Sequence, residues 1–545
     1  MSTPQTELTN PQSGAAHDAA HDPVNDKVPT YSWYALSVLV LIYVLNFVDR
    51  QILSILANDI KADLGLSDAD LGFLYGTAFA VFYALFGIPL GKLADSWHRV
   101  RLMTVGLAVW SFMTAVSGFA RNGAELTGAR IGVGVGEATA SPSAYSLISD
   151  YFPARLRATA LAIYSSGLYI GGGISLLIGG LVVENWNAAY PDGGPLGLAG
   201  WQAAFVAVGL PGLLLAVWVI TLREPVRGAI DNMPTPSDPH PFKGFINELF
   251  TVIPPFTFVG AARRGVAALA VNILALALLG ITGWLLTRWL ASGEGSFIAS
   301  ISDQWLFLGV GYYSVFSFAT ALRARDLPTF RLTWGSPAFL CVILGYGLVA
   351  FMAYASSYWS APYAERVFDV SKAELGWWLG APSALAGFLG VIGGGRLADY
   401  LYERFEAGRV FVILFGLIAP IPVVLVLYTT SDVTVFFVLA FIAQALTASA
   451  LGAAAAASQA LVLPRMRGVA TATFFLATTL VGLALGPFTA GYVSAANGDD
   501  LSKGVLATLW VTPLGFALLV AAIKLVPEAG RTLVNRAKEA GEAGL

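Results

Sequence analysis

Apolar runs of about twenty residues, each long enough to cross a bilayer as a helix, recur along almost the whole chain and leave little room for anything but a bundle of membrane helices. They fall near residues 33–57, 69–93, 101–120, 126–149, 157–183 and 201–222, and again near 336–359, 373–398, 409–429, 432–460, 468–494 and 503–526. Two more, near 265–290 and 304–322, lie between these sets of six. With 56% hydrophobic residues, 12% charged residues and a mean hydropathy of +0.69, the pattern predicts an all-α polytopic membrane protein.

Basic residues gather in alternate loops: Arg99 and Arg101, Arg155 and Arg157, Arg223 and Arg227, Arg404 and Arg409, Arg465 and Arg467, and the tail after Lys524. Loops 184–200 and 495–502 are nearly free of them. The positive-inside rule therefore predicts an even number of spans with both termini cytoplasmic, here in a bacterial inner membrane. Residues 1–30 lack the basic and then apolar pattern of a signal peptide and read as a disordered cytoplasmic tail. His17 and His21 in that tail have no ligand spacing, so no metal is expected. A net charge of −3 and the absence of a basic stripe exclude nucleic acid as a partner. Cys341, the single cysteine, cannot form an internal disulfide and is expected to pack as a small hydrophobe.

The two sets of six repeat each other in one register. Subtracting 304 from positions in the second set lays "SKAELG" at 371–376 over "SDADLG" at 67–72, and "GRLAD" at 395–399 over "GKLAD" at 91–95. Ser67 with Asp70, and Ser371 with Glu374, have the spacing of a capping box, which predicts that each pair starts the second helix of its half. Two parallel six-helix halves are a transporter architecture, with substrate held between them near mid-membrane. The chain accordingly divides into the tail 1–30, an N-terminal half 31–223, a central cytoplasmic linker 224–335 carrying the two extra helices, a C-terminal half 336–527 and a tail 528–545.

Gly91, Leu93, Asp95 and Arg99 match the pattern G-x-L-a-D-x-x-G-R that joins the second and third helices in the major facilitator superfamily, with His98 where that pattern has Gly. The chain resembles that superfamily, which implies its fold: two six-helix halves, here with an extra hairpin between them. Asp95 near a helix end can pair with Arg99, Arg155 or Arg157 when the cytoplasmic side closes and release them when it opens. Asp399, its repeat partner, can do the same opposite Arg465 or Arg467; alternatively these are only topogenic charges. A finer resemblance, to the Spinster family, rests on "NFVDR" at 46–50, "RIGVGVGEATASPSAYSLISDYFPARLRATALAIYSSG" from Arg130 and "GWQAAFVAVGLPGLLLAVWVITLREP" from Gly200. It implies an amphipathic substrate such as a lysophospholipid or sphingosine-1-phosphate.

Asp49 and Arg50 stand side by side inside the first apolar run, where a charge costs about 2.5–3.5 kcal/mol on insertion scales and marks a functional site by default. If helix one starts near Ala35, Asp49 lies roughly 21 Å along it, past the middle. On the fourth helix Arg130 and Glu137 are two turns apart and share a face. Helices one and four border the central cavity in the superfamily it resembles, so the four charges, summing to zero, are expected to converge there. Proton uptake changes that balance by one unit. Glu137, with Asp49 second, is therefore the expected proton acceptor, and Arg50 or Arg130, beside Asn46, the expected holder of an anionic head group. A static ion-pair network joining the two helices is the alternative.

Ala353 and Tyr354 occupy the repeat positions of Asp49 and Arg50, and the tenth helix offers Gln444 among small residues. A polar wall in one half and a mainly apolar wall in the other, touched through Tyr354 and Gln444, suit an amphipath, although Ala453–Ala457 equally allow close packing. Gly167, Gly171, Gly173 and Gly180 of helix five, with Gly482, Gly486 and Gly491 of helix eleven, are expected to form a symmetric seam. "GIPLGKL" at 87–93 lacks the spacing and hydroxyl of a phosphate loop, and no catalytic motif is found. The expectation is no enzyme and no cofactor, but a monomeric proton-coupled secondary transporter exporting a lysolipid- or sphingolipid-like anion by exchange, with protons and membrane lipids as its other partners. The alternative is a carrier of a sugar, an aromatic or organic acid, or a drug.

Overall fold

The computed structural model describes residues 28–191, 193–231, 238–290 and 297–542; the tail with His17 and His21 lies outside them. Helix α1 (Thr30–Leu64) starts before the expected Ala35, so Asp49 sits just past its midpoint, and Gly65 closes it in the left-handed conformation at φ 63°. The second membrane rod is split at Gly76 into α2 (Asp68–Tyr75) and α3 (Thr77–Ser96). After α4 (Arg99–Ser117) the fourth rod is again in two pieces, α5 (Gly123–Glu137) and α6 (Ala140–Tyr151). The first half ends with α7 (Ala154–Ala189) and α8 (Gly200–Val219).

Between the halves come two short helices, α9 (Pro241–Val252) and α10 (Phe256–Arg263), bent by 96° at their junction. The long pair α11 (Val266–Leu290) and α12 (Phe297–Arg325) follows, with the short α13 (Leu327–Leu332) leading into the second half. That half opens with α14 (Pro337–Phe368), then α15 (Lys372–Leu375) and α16 (Ala381–Tyr402) as its second rod. Helices α17 (Gly408–Ile418) and α18 (Pro420–Leu427) form the next rod, and α19 (Val433–Ala460) the one after. Rod eleven of the core is α20 (Arg467–Ala477) plus α21 (Gly486–Ala496), and rod twelve is α22 (Leu501–Ala507) plus α23 (Thr512–Arg531). The short α24 (Leu533–Glu539) follows. Among the described residues 13 helices are long and apolar enough to cross a membrane. The α5–α6 rod is not one of them, being interrupted at Ala138 and Thr139 and bearing Arg130 and Glu137.

The repeat is visible in the packing. Both capping boxes form: Ser67 caps the Asp70 amide while the Asp70 carboxylate accepts the Ser67 amide, and Ser371 and Glu374 do the same. The left-handed cap at Gly65 recurs at Asp369, φ 52°, a residue type that tolerates this conformation. Helices α1 and α14 meet at equivalent points, Ser54 Oγ donating to Tyr358 O at 2.5 Å and Asn58 Nδ2 to Pro362 O at 3.3 Å, each pair 304 residues apart. Contacts between repeat-related positions are what a pseudo-two-fold axis along the membrane normal requires.

The expected glycine seam takes a different form. Helix five and helix eleven do not face each other. A Cβ at Gly171 would meet Val44 O of α1 and one at Gly173 would meet Gly380 O, whereas Gly486 faces Phe351 O of α14 and Gly491 faces Asp68 O of α2. The small residues thus serve two seams, α7 against the second rod of the second half, and rod eleven against α2. The reason is the parallel repeat itself, which pairs each glycine-rich helix with a rod of the opposite half. Outside the core, α11 turns Val271, Leu274, Leu278, Ile281 and Leu285 outward, and its Asn272 accepts from Tyr313 of α12 at 3.4 Å.

Candidate substrate cavity and ion-pair site

One cavity of about 860 Å³ lies between the halves, opening toward the side that carries Lys92, Asp95, Arg325 and Arg467. Asn46, Arg50, Tyr354 and Gln444 line it, as expected from the sequence. Its walls are aromatic and hydroxylic: Tyr43, Tyr75, Tyr83, Tyr145 and Tyr169 from the first half, and Tyr346, Ser356, Ser360, Thr447 and Thr479 from the second.

Arg50 reaches the cavity with its back to a buried carboxylate. Its Nη2 donates to Glu137 Oε2 at 2.6 Å. Its guanidinium lies 4.7, 4.4 and 5.0 Å from the ring centres of Phe47, Phe79 and Tyr83, whose π faces favour a cation. Glu137 is at the last position of α5, just before the break that ends in Thr139, which brings its carboxylate up to α1.

Asp49 and Arg130 correct the expectation that all four charges share the cavity. Neither lines it, nor does Glu137. Arg130 donates through Nη1 to the backbone O of Asp49 at 3.2 Å, and its guanidinium lies 5.5 Å from the Phe79 ring. The Asp49 carboxylate is fully buried beside Trp110 and Thr114 of α4 with neither oxygen in a regular hydrogen bond. The physical reason is helix phase: adjacent residues on α1 point about 100° apart, so Arg50 faces the cavity and Asp49 the interior of the first half.

On the side of the cavity mouth, Arg99, Arg157 and Arg465 are held by their own half, by the linker 224–335 or by the C-terminal tail. Arg99 is buried, donating to Asp150, to Glu224 Oε1 at 2.7 Å and to Pro225 O at 2.8 Å. Arg157 pairs with Asp231 at 2.9 Å and also donates to Ser149 O at 2.7 Å. Arg155 is exposed. Arg465 bonds Glu542 and Asp326, the latter at 2.9 Å, rather than Asp399. Asp399 makes no ion pair among the described residues; Asp95 borders the cavity, with Lys92 and Arg227 the nearest charges. Neither Asp95 with Arg99 or Arg157 nor Asp399 with Arg465 or Arg467 forms an ion pair among the described residues.

The opposite side is closed by a network that sequence reasoning missed. Asp68 is fully buried; Arg366 donates to its two oxygens at 2.8 and 2.7 Å, Lys61 to Oδ1 at 2.8 Å and Ser494 to Oδ2 at 2.7 Å. Lys372 bonds Glu365 and reaches Asp59 at 3.2 Å. Lys372 and Glu365 are the repeat partners of Asp68 and Lys61, with the signs exchanged. That exchange was the available signal: two pairs with the same spacing, in register, and opposite in charge.

The family model of the Major Facilitator Superfamily matches residues 39–364 and 342–544. An MFS-type efflux pump of Mycolicibacterium smegmatis is 26% identical over 498 residues, 91% of this chain and 91% of that protein. A probable galactarate/D-glucarate transporter of Bacillus subtilis is 29% identical over 208 residues, 37% of this chain and 43% of that protein. Among solved structures, a bacterial homologue of the human lysosomal transporter Spinster, inward-facing and unoccupied, superposes with a TM-score of 0.64 at 28% identity, covering 93% of this chain and 98% of that one. The chain belongs to the Major Facilitator Superfamily of membrane transporters, and within it is similar to the Spinster proteins.

Proposed function

We propose that the protein is a proton-coupled secondary transporter of an amphipathic, lysolipid- or sphingolipid-like anion, working by alternating access. The observation that carries this reading is the Arg50–Glu137 pair, one member at the cavity surface and the other behind it. With Glu137 ionised, Arg50 is already neutralised; with Glu137 protonated, the guanidinium is free for an anionic head group, and Asn46 stands beside it. Proton and anion therefore bind together, and by linkage each strengthens the other. The charge count by itself suggests competition, exchange and export; the pairing instead supports co-transport, whose direction follows the proton gradient. Tyr354, Tyr346, Gln444 and the second-half wall would take the apolar part. Asp95, Asp399, Arg155 and Arg467 are proposed to close the mouth, on a cytoplasmic side that also carries both termini.

A second reading is a sugar-acid carrier, favoured by the similarity to the galactarate/D-glucarate transporter. Arg50 would hold the carboxylate and the many hydroxyl side chains the sugar. Binding of lysophosphatidylglycerol and of D-glucarate to purified protein, titrated from pH 8 to pH 5, separates the two. Under the proposal the lysolipid binds more tightly as the pH falls, Glu137→Gln abolishes that pH dependence, and D-glucarate binds weakly throughout. A Glu137→Gln variant with unaltered pH dependence removes Glu137 as the coupling group.

A further inference from the structure

We propose that α12 is a lateral wall of the transporter, sealing the cavity against lipid along the flank between the second and eleventh rods. Gln304, Gly311, Phe318 and Arg325 recur every seven residues, so they share one face of α12 over about 32 Å. Each of the four meets the core at a different depth.

At the end away from the mouth, Gln304 Nε2 donates to Ala484 O at 3.4 Å, an oxygen that also accepts Thr77 Oγ1 of α3 at 2.8 Å. Tyr312 OH donates to Leu480 O at 3.2 Å. Both acceptors belong to or border a π-helical turn, Thr478–Leu483, in the eleventh rod. A wider turn leaves backbone carbonyls in need of partners, and side chains of α3 and α12 supply them. A Cβ at Gly311 would lie 3.3 Å from Leu480 of one half and 3.5 Å from Val81 of the other, so this one position touches both halves. The Phe307 ring centre lies 5.3 Å from Phe73 and 5.8 Å from Phe82.

Nearer the mouth α12 stays packed along α3 and reaches the cavity itself. Phe318 lines the cavity while only 3% exposed, and Arg325 lines it at the mouth, paired with Glu248 of α9 at 2.5 Å. The inserted segment is thus part of the substrate cavity, and it presents an apolar and then ionic surface along the flank of the second and eleventh rods. The other face of the hairpin, along α11, is apolar and outward. A lipid acyl chain cannot pass between the second and eleventh rods without displacing α12. This inference stands on packing and does not depend on which substrate is carried.

Nitroxide labels at Phe318→Cys and, as a lipid-facing reference, Ile281→Cys, each in a Cys341→Ser background in nanodiscs, test it. The Phe318 label should collide with water-soluble nickel chelate and be several-fold less accessible to oxygen than the Ile281 label. Oxygen accessibility at Phe318 equal to that at Ile281 overturns the wall. Independently, Gly311→Cys paired with Val81→Cys, and Gly311→Cys paired with Leu480→Cys, should both form disulfides on mild oxidation in membranes. Cross-linking to one half only shows that α12 rides on that half without bridging, and likewise overturns the proposal.

Discussion

A buried charge is tolerable in a membrane only when something neutralises it, and Arg50 and Asp49, neighbours in sequence, meet that demand in opposite ways. Arg50 has Glu137 at 2.6 Å and three aromatic faces, whereas the Asp49 carboxylate has no regular hydrogen-bond partner. Removing a buried carboxylate that lacks a regular hydrogen bond relieves a desolvation cost. Asp49→Asn is therefore expected to leave the melting temperature in detergent unchanged or higher, while Glu137→Ala, which leaves Arg50 alone, lowers it. The full loss for breaking a buried pair is about 3–5 kcal/mol, and water in the cavity should reduce it here. A clear fall in melting temperature for Asp49→Asn would mean that its carboxylate has a stabilising partner. Both residues were legible as intramembrane charges, but one-dimensional spacing could not say which of them would face the cavity, since that depends on the rotation of α1 against α4.

Short connecting elements carry charges whose effect can be read against pH. Asp326 caps α13 by accepting the Thr329 amide at 3.1 Å and also holds Arg465, whose Nη1 lies 2.9 Å away. Partial burial works against its ionisation, but hydrogen bonds from Arg465 and Thr329 outweigh it and hold the carboxyl down at about 2. A carboxyl depressed in the folded state stabilises at pH values above its unfolded pKa, about 3.9, and loses that contribution as the pH falls toward 2. Both side chains are partly exposed, so solvent screening limits the ion pair to about 1 kcal/mol or less, with the helix cap adding roughly 1 kcal/mol. Asp326→Ala should lower thermal stability at pH 6, with most of the difference gone at pH 2. A difference that persists undiminished at pH 2 would assign the effect to packing. Capping boxes at Ser67 and Ser371 belong to the same scale, and these were fully legible because they need only local spacing.

The distribution of ion pairs decides which side of the whole molecule is open. Asp68 joins Arg366 of the other half, and Lys372 joins Asp59, on the closed side, while at the mouth Asp399 makes no ion pair among the described residues and Arg465 is occupied by the linker and the C-terminal tail. A mouth-open state is therefore favoured. Asp68→Asn should shift the population toward conformers open on the other side, and the double exchange Asp68→Arg with Arg366→Asp should restore part of the closure. Electron–electron distance distributions between labels at Asn185 and Asp432, both exposed and in opposite halves, read the shift. Unchanged distributions in Asp68→Asn would assign closure to the glycine seams instead.

Span length, the 304-residue register and the helix starts follow from the sequence alone, because a helix must be apolar for its full passage through a bilayer and a cap acts over three residues. Family and transporter class were legible for the same reason, being carried by contiguous motifs. What only the tertiary structure decided is which neighbours the charges find. The seven-residue pairs Lys61/Asp68 and Glu365/Lys372 became a cross-half lock only when α1 met α14 about the pseudo-two-fold axis. The seat of α12 between the second and eleventh rods was likewise invisible, since its partners are backbone carbonyls freed by a π-helical turn. Such contacts depend on the relative rotation and approach of helices distant in sequence, which periodicity along one helix does not encode.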